Sequence, residues 1–328
     1  METDRITSPV VSVVMPLYNK GKEVGRALRS AQAQTLSDWE MIVVNDGSTD
    51  GGAEIVQRLD DGRIILLHQL NAGVSAARNR GTQESRADLI AFLDADDEWA
   101  PDFLETILRL REKYLSCDVF ATGYFFCREN GSHRNNVLRG LPESFREGIL
   151  ADYFGVAARS DPPLWSSAVA VTKRAIDSVG GFPVGVTAGE DLLTWARLAV
   201  RHKIAYATKP SAFFWAPERL SDRPGRLPQQ PDIVGIGLKK LTTEIQPDQY
   251  DSFLLYRGLW HRMRANIFIR AGEKNKARLE LNTSRKISGC NVRLMALAAV
   301  AYLPGNGNKY LYGFLRKLYR KYIYGIQE

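Results

Sequence analysis

Three aspartates, Asp94, Asp96 and Asp97, follow directly after the apolar segment Leu89–Leu93. Three carboxylates within four residues repel one another, so a cation near them lowers the electrostatic cost. Carboxylate oxygens are the ligands that Mg²⁺ and Mn²⁺ prefer, and a diphosphate can supply further oxygens. The cluster therefore predicts a divalent-metal site. The alternative is that these acids cap the helix expected after Pro101, a task that Asp97 alone could perform.

A second aspartate lies in another turn. Asp46 belongs to the turn-type cluster Asn45–Asp50, directly after the apolar segment Met41–Val44. An aspartate at a strand end can accept a hydrogen bond from N3–H of uracil or from a ribose hydroxyl. An Asx turn followed by a helix cap is the alternative interpretation of the same residues.

Two further segments contain charged candidates. Glu190 and Asp191 begin a predicted helix after Gly189, where a carboxylate can act as general base towards an acceptor hydroxyl. First-turn acids that complement the helix dipole are the alternative. The segment Asn71–Asn79 combines a turn with a small-residue helix, on which Arg78 could face the phosphates of a nucleotide. A packed helix with an exposed arginine is the competing interpretation.

The elements that position these residues alternate between strand and helix. Apolar strands separated by helices predict a parallel sheet that is covered on both faces, in an α/β fold. Ligands bind such sheets at the carboxyl ends of the strands, which is where the candidate acids fall. The predicted strands are Val10–Met15, which stops at Pro16, Met41–Val44, Ile64–Leu67 and Leu89–Leu93, and the predicted helices begin at Val24 or span Val74–Thr82 and Phe103–Tyr114.

A change of pattern divides the chain into two predicted domains. Residues 1–220 form the catalytic domain and residues 221–328 form a basic, amphipathic helical region. The boundary is the loop Ser221–Pro231, which is rich in Pro, Gly and Arg, and Ile233–Tyr324 is predicted to be all-helical. In the second half of the first domain the predicted elements are the strands Val119–Phe126 and Ala168–Thr172 and the helix Glu190–His202.

Composition excludes several classes of protein. The 328 residues are 45% hydrophobic and 25% charged, which argues against global disorder. Three cysteines without C-x-x-C spacing argue against a disulfide framework or a zinc site. Residues 1–9 contain no secretory signal, and the longest apolar run, Leu294–Leu303, is shorter than the roughly 20 residues that cross a bilayer. A cytoplasmic protein is predicted.

The net charge of +7 is distributed unevenly. Residues 251–328 contain 15 Lys and Arg against 4 Asp and Glu, whereas the preceding residues contain 29 against 33. A basic amphipathic helix predicts attachment to an anionic membrane surface, at the inner face of the cell membrane. The alternative is packing on the catalytic domain or on a second subunit, and nucleic-acid binding is disfavoured because no such motif is present. On a helical wheel Leu311, Phe314, Leu315, Leu318 and Tyr322 form one face and Lys309, Arg316, Lys317 and Arg320 the other.

Taken together, the motifs resemble those of the family 2 glycosyltransferases, which are inverting enzymes with a GT-A fold. The order and spacing of the motifs match that family from about Val10 to about Trp215. The resemblance implies the GT-A fold, a mostly parallel, Rossmann-like central sheet with flanking helices. The matching stretches are Val11–Asn19, Ile42–Asp50, Asn71–Gly81, Phe92–Asp97, Gly180–Phe182 and Gly189–Asp191.

The resemblance also implies a donor site for a nucleotide-diphosphate sugar. Pro16, Tyr18 and Asn19 are expected to line the nucleobase pocket, and Asp46 is expected to bind the base, which would be uracil. Arg78 remains the candidate that faces the donor phosphates.

On the same basis, Asp94 is expected to contact the ribose or donor sugar and to lie with Asp96 at the metal, Mn²⁺ or Mg²⁺. Asp191 is the implied catalytic base, with Glu190 as an acceptor or sugar contact. The residues agree with this scheme, because a metal that bridges the diphosphate stabilises the leaving group without a general acid.

The chain departs from the family pattern in two places. Processive members have a Q-x-x-R-W motif and membrane spans, and here Trp195 lacks that context, so we predict that one sugar is added. Many relatives have a histidine where this chain has Phe214–Arg219, so Arg219 or Arg223 is expected at the phosphates. Trp165, in the segment that shapes the acceptor pocket, is a further predicted contact.

The sequence therefore predicts a non-processive, metal-dependent inverting glycosyltransferase that uses a UDP-sugar. The expected acceptor is a saccharide, lipid-linked, in bacterial-type surface polysaccharide assembly. A nucleotidyltransferase is an alternative, although Lys20–Lys22 matches its Gly-rich basic loop poorly. A non-catalytic nucleotide-sugar binder is another. A dehydrogenase is disfavoured because no G-x-G-x-x-G follows the first strand.

Overall fold

The computed structural model describes residues 8–215 and 227–302, and these residues form two compact units. The first unit contains residues 8–153 and 161–215, and the second contains residues 154–160 and 227–302. The predicted boundary between residues 220 and 221 lies outside the described residues.

The first unit is built on a mixed sheet of the ten strands that the described residues form. The strand order is β3-β2-β1-β4-β9-β6-β10-β5, with β7 beside β6 and β8 beside β10. The four N-terminal strands are parallel, as predicted. The strands are β1 Val11–Leu17, β2 Trp39–Asn45, β3 Ile64–His68, β4 Leu89–Phe92, β5 Glu98–Trp99, β6 Cys117–Cys127, β7 His133–Asn135, β8 Glu147–Ile149, β9 Val169–Thr172 and β10 Lys203–Trp215.

Strand β1 ends at Leu17, two residues beyond its predicted end at Met15, and therefore includes Pro16. The pairing of β1 with β4 ends at Val14 and Phe92, whereas its pairing with β2 continues to Leu17 and Asn45. Pro16 therefore lies where β1 has a neighbour on one side only, and a proline without an N–H is tolerated there.

Strand β9 runs antiparallel to both of its neighbours, β4 and β6. A short 3₁₀ helix, Ser166–Ala168, precedes β9 and lies at the carboxyl end of β4. Its position is held by Ser167 Oγ, which accepts a hydrogen bond from the Asp94 amide. A strand that starts at that edge must run in the opposite direction. The parallel sheet that the alternation of elements predicts is therefore interrupted at β9. The four N-terminal strands are parallel to one another, and so are β6 and β10.

Helices cover both faces of the sheet. In α1, Val24, Ala27, Leu28 and Ala31 are buried, which is the spacing of one helix face. The helices of the first unit are α1 Val24–Gln32, α2 Gly52–Gln57, α3 Val74–Glu84, α4 Phe103–Lys113, α6 Lys173–Ser178 and α7 Glu190–Arg201. The helices α4 and α7 bury apolar residues at similar spacing, α3 buries mainly small and polar residues, and α2 and α6 are short connections that the sequence did not predict. The helix α5, Tyr153–Arg159, lies almost wholly in the second unit.

The second unit is helical over its described residues, as predicted for Ile233 onwards. Its core contains Ala265, Phe268, Ala277, Leu281, Leu294 and Ala301. Within residues 8–215 and 227–302, no helix is both long and apolar enough to cross a membrane. The predicted amphipathic tail, residues 309–322, lies outside the described residues. The helices are α8 Ile233–Leu241, α9 Tyr250–Arg270, α10 Lys274–Ser288 and α11 Val292–Tyr302.

A buried ionic network joins three of these helices. Arg264 Nε donates to Glu280 Oε1 at 2.7 Å and Arg264 Nη1 lies 3.4 Å from Asp232 Oδ1, while His261 Nδ1 lies 2.7 Å from Glu280 Oε2. Asp232, His261 and Glu280 are residue types that bind metals and lie close together. The guanidinium of Arg264 pairs with both carboxylates, so we interpret the network as structural.

Helix α3 approaches β1 so closely that position 81 has no room for a side chain. A Cβ on Gly81 would lie 2.4 Å from Val14 Cγ1. We expect Gly81→Ala to lower the free energy of unfolding by about 1–3 kcal/mol, a usual cost of overpacking. Urea unfolding monitored by circular dichroism measures this change.

Gly62→Ala is the matched control, because a Cβ there meets no described atom within 4 Å. The double variant Val14→Ala/Gly81→Ala should lose less stability than the sum of the two single variants. Additive losses would show that the cost at position 81 does not come from the contact with Val14.

Candidate active site

The candidate residues lie at the carboxyl ends of β1, β2 and β4, the edge where parallel sheets bind ligands. Tyr18 is 49% exposed directly after β1, whereas Pro16 is buried inside the strand. Asn19 adopts a left-handed conformation with φ of 51°. Its side-chain oxygen accepts from the Thr49 amide at 2.9 Å, and its own amide donates to Ser48 Oγ at 3.1 Å. These bonds fix the turn after β1 against the turn after β2.

Asp46 is buried and supports the turn before α3. Its Oδ1 accepts from Gln69 Nε2 at 2.7 Å and from the Ala72 amide at 2.9 Å, and its Oδ2 accepts from the Gly73 amide at 2.8 Å. A carboxylate offers about four acceptor positions, so one remains. The predicted contact between Asp46 and a nucleobase would use this position.

The three aspartates after β4 occupy different environments. Asp94 Oδ1 accepts from Arg78 Nη2 at 2.6 Å, and Asp96 Oδ2 lies 2.6 Å from Lys20 Nζ. Burial alone would lower the pKa of Lys20, but the ion pair with Asp96 outweighs it and raises the pKa. Asp97 is buried and belongs to neither pair.

Asp97 does not cap α4, so that alternative interpretation of the acidic cluster is wrong. The residue before α4 is Asp102. The Asp97 carboxylate accepts from Ser167 Oγ at 2.6 Å, Trp165 Nε1 at 3.1 Å and the Trp215 amide at 3.2 Å. Burial, together with the nearby charges of Asp96 and Asp94, raises the pKa of Asp97 well above its ordinary value.

The chemistry of Asp94 and Asp96 fits a divalent cation. Their side chains are 22% and 36% exposed, and each carboxylate is paired with a cationic side chain. The ammonium of Lys20 therefore lies where a positive charge is favoured. Hard carboxylate oxygens at an accessible strand end are suitable ligands for Mg²⁺ or Mn²⁺.

Arg78 joins the end of β4 to the start of α7. Its side chain is only 4% exposed, and its Nη1 lies 3.6 Å from Glu190 Oε1 while its Nη2 contacts Asp94. Among the residues that the structure describes, Nε and Nη1 of Arg78 have no hydrogen-bond acceptor. The predicted contact with donor phosphates would have to use these two nitrogens.

Glu190 and Asp191 begin α7 after Gly189, whose φ of 81° is in the left-handed region. Burial, followed by the charge of Asp191, raises the pKa of Glu190 from 4.5 to about 7, although Arg78 opposes the rise. Burial also raises the pKa of Asp191, again opposed by Arg78. A carboxylate with a raised pKa accepts protons more readily, which is the property of a general base near neutral pH.

Trp165 packs against two aromatic side chains beside the acidic cluster. Its ring centroid lies 4.3 Å from that of Phe214 and 5.8 Å from that of Tyr124. The predicted phosphate contacts Arg219 and Arg223 lie outside the described residues.

Sequence reasoning missed two residues of this site. The sequence indicates Lys20 only as part of a basic loop, yet its ammonium pairs with Asp96. The Gly21 amide of that loop donates to Asp50 Oδ2 at 2.7 Å. Ser167 bonds both the Asp94 amide and the Asp97 carboxylate. The position of Lys20 after the first motif is a usable signal, whereas nothing in the sequence marks Ser167.

Comparison with known proteins identifies the class. Residues 12–160 match the model of the glycosyl transferase family 2. The chain is 42% identical over 102 residues to an uncharacterized glycosyltransferase, YibD, of Escherichia coli, covering 30% of each chain. It is 35% identical over 139 residues to the putative teichuronic acid biosynthesis glycosyltransferase TuaG of Bacillus subtilis, covering 42% of this chain and 54% of TuaG. The chain thus spans about half or less of the length of these curated relatives.

Solved structures share the fold. S. aureus TarS 1–349 in complex with UDP-GlcNAc has a TM-score of 0.65 at 17% identity, covering 96% of this chain and 92% of that one. The mannosyltransferase PcManGT from Pyrobaculum calidifontis, in complex with GDP-Man and Mn²⁺, has a TM-score of 0.54 at 17% identity, covering 98% and 89%. The fold is therefore GT-A with additional C-terminal helices, as the sequence resemblance implied. Residues 12–160 form a glycosyltransferase family 2 domain.

The raised pKa of Glu190 has a measurable consequence for stability. Because the folded state holds this proton up to about pH 7 and the unfolded state releases it near pH 4.5, Glu190 destabilises the fold increasingly as the pH rises between these values. We expect the change in melting temperature on Glu190→Gln to be more favourable at pH 8 than at pH 5, because the variant lacks the carboxylate whose ionisation destabilises the fold at the higher pH.

Differential scanning calorimetry at both pH values measures this difference, and Glu112→Gln, an exposed change on α4, is the control. An equal effect of Glu190→Gln at the two pH values would contradict the assignment.

Proposed function

We propose that this protein is a non-processive inverting glycosyltransferase that transfers one sugar from a UDP-sugar to a saccharide acceptor. The observation that carries the proposal is the buried contact of Arg78 with both Asp94 and Glu190. This contact joins the acids at the end of β4, on the donor side, to the acids at the start of α7, on the acceptor side. Residues 1–220 form the catalytic domain in this proposal and residues 221–328 a helical region.

The donor binds at the ends of β1 and β2. The exposed ring of Tyr18 offers a stacking surface for a nucleobase, beside the turn that Asn19 holds. Asp46 accepts N3–H of uracil with its remaining acceptor position, and Pro16 supports the pocket from within β1. The bound UDP-GlcNAc of TarS supports a uridine donor, and the GDP-Man of PcManGT makes guanosine donors the comparison to test.

Asp94 and Asp96 would hold a divalent cation at the donor site through their carboxylate oxygens. When bound, the cation neutralises the charge that develops on the leaving nucleotide. Lys20, which pairs with Asp96, and Arg78, which pairs with Asp94, add positive charge at the same place. The Mn²⁺ in PcManGT supports a divalent metal.

Asp191 removes the proton from the acceptor hydroxyl, and Glu190 contacts the acceptor or the donor sugar. Burial of the pair favours proton uptake, while Arg78 keeps part of the pair ionised. Direct attack by the activated hydroxyl inverts the configuration at the anomeric carbon. Trp165 offers an aromatic face for the acceptor saccharide.

The acceptor is proposed to be lipid-linked, in bacterial-type surface polysaccharide assembly. The relative TuaG is described by its role in teichuronic acid biosynthesis, which supports a polysaccharide pathway. The excess of cations in residues 251–328 would hold the protein at the anionic inner face of the cell membrane.

Donor hydrolysis in the absence of acceptor tests the proposed reaction. The wild-type protein should slowly hydrolyse one of UDP-GlcNAc, UDP-Glc, UDP-Gal or GDP-Man in the presence of Mn²⁺. Asp191→Asn should lower that rate by about 10²–10⁴-fold with unchanged UDP affinity, because it removes proton acceptance and preserves shape. Near wild-type turnover of the variant would show that the base lies elsewhere. Binding of UDP without hydrolysis or transfer would favour a non-catalytic binder.

Calorimetric titration of UDP with and without Mn²⁺ tests the metal site. The wild type should bind UDP more tightly with Mn²⁺, and Asp96→Ala should abolish this difference because a ligand of the metal is lost. Asp60→Ala, an exposed aspartate after α2, is the control for charge alone. Metal-dependent affinity that survives in Asp96→Ala would remove Asp96 from this role.

A further inference from the structure

The motif Gly180–Phe182 has no part in the chemistry described so far. It is hydrogen-bonded to Asn79, the residue that follows Arg78 in α3. The Asn79 side chain forms two hydrogen bonds with one residue of the motif. Its Nδ2 donates to the Phe182 carbonyl oxygen at 2.8 Å, and its Oδ1 accepts from the Phe182 amide at 2.8 Å. A side-chain amide that meets both polar backbone groups of one residue fixes the position and the orientation of that residue.

The two glycines make this contact possible. Gly180 and Gly181 have φ values of 76° and 67°, in the left-handed region that favours glycine. A Cβ on Gly181 would lie 2.6 Å from Asn79 Oδ1. Position 181 therefore requires glycine both for its backbone conformation and for the approach of the Asn79 side chain.

The ring of Phe182 connects both sides of the candidate active site. It packs edge to face against Phe92, the last residue of β4, with centroids 5.2 Å apart. It packs likewise against Trp195 of α7, at 5.5 Å. The guanidinium of Arg78 lies 5.1 Å from the centroid of the same ring. Phe182 thus contacts the strand that leads to Asp94, the helix that begins with the acidic pair, and the arginine between them.

We propose that Asn79 and Phe182 form a clamp that sets the position of Glu190 and Asp191 relative to Asp94. Asn79 is then a positioning residue for sugar transfer. This inference rests on the proposed function, because it assigns the acidic pair to the acceptor and Asp94 to the donor. Two adjacent residues of α3 contribute to this arrangement. Arg78 forms ion pairs with Asp94 and Glu190, and the Asn79 side chain forms hydrogen bonds with the backbone of Phe182.

A positioning role has a distinct kinetic signature. Displacement of a catalytic group by about 1 Å can lower turnover by about 10²-fold even when substrates still bind. Loss of the clamp should therefore lower kcat while the donor site, which lies on β1, β2 and β4, keeps its affinity. A purely structural role would lower thermal stability without this separation of kcat from KM.

The experiment compares Asn79→Ala with Thr172→Ala. The Thr172 hydroxyl caps α6 by accepting from the Ala175 amide and donates to Asp118 Oδ1, so its loss removes two hydrogen bonds without touching the clamp. With the best donor of the hydrolysis screen, Asn79→Ala should lower kcat by at least about 10-fold. KM for the donor and the UDP dissociation constant should stay within about twofold of wild type. Thr172→Ala should keep kcat within about twofold.

Hydrogen exchange supplies a readout that does not depend on turnover. Amides of residues 182–193 should exchange faster in Asn79→Ala than in wild type, and those in Thr172→Ala should not. Gly181→Ala should reproduce the kcat loss of Asn79→Ala, and the double variant should lose less than the product of the two single losses.

The possible failures are distinguishable. A wild-type protein that hydrolyses and transfers no nucleotide sugar contradicts the proposed function. An active wild type with an unchanged kcat in Asn79→Ala overturns the clamp as a positioning device and leaves the proposed function standing. Unchanged exchange at residues 182–193 in Asn79→Ala overturns the clamp itself.

Discussion

The candidate active site depends on one buried guanidinium. A buried arginine is costly unless carboxylates compensate it, and removal of one partner of a buried ion pair typically costs about 3–5 kcal/mol. Arg78 meets this requirement only when β4 brings Asp94 to one side of it and α7 brings Glu190 to the other. The buried position of Arg78 is therefore favourable only in the assembled arrangement of β4 and α7.

Negative charge still exceeds positive charge in this region. Arg78 and Lys20 face five acids, and burial raises the pKa values of Asp97, Glu190 and Asp191. An added cation or a protonated carboxyl group relieves this excess. The site is thus electrostatically suited to a ligand set that brings a metal, and to a reaction in which a carboxylate takes up a proton. The five acids are Asp94, Asp96, Asp97, Glu190 and Asp191.

The sequence predicted the strands that are buried on both faces, because such strands are continuous apolar runs. It missed β10, where Lys209 and Pro210 interrupt the pattern and the pairing with β6 shifts register at the same place. The acids after β4 were recognisable from their position at a strand end. Their partners were not, since the pairs of Lys20 with Asp96 and of Arg78 with Glu190 join distant parts of the chain and depend on the completed tertiary structure.

The hydrogen bonds of Asp46 limit how the nucleotide preference of such a site can be redesigned. Any uncharged apolar replacement would leave Gln69 and the amides of Ala72 and Gly73 without their acceptor, and the turn that starts α3 would lose its support. A library that varies position 46 alone would mostly recover unstable proteins. Under the proposed role of Asp46 as the acceptor for uracil, a change of nucleoside preference would require a new acceptor for these donors in the same variant, so positions 46 and 69 are best varied as a pair.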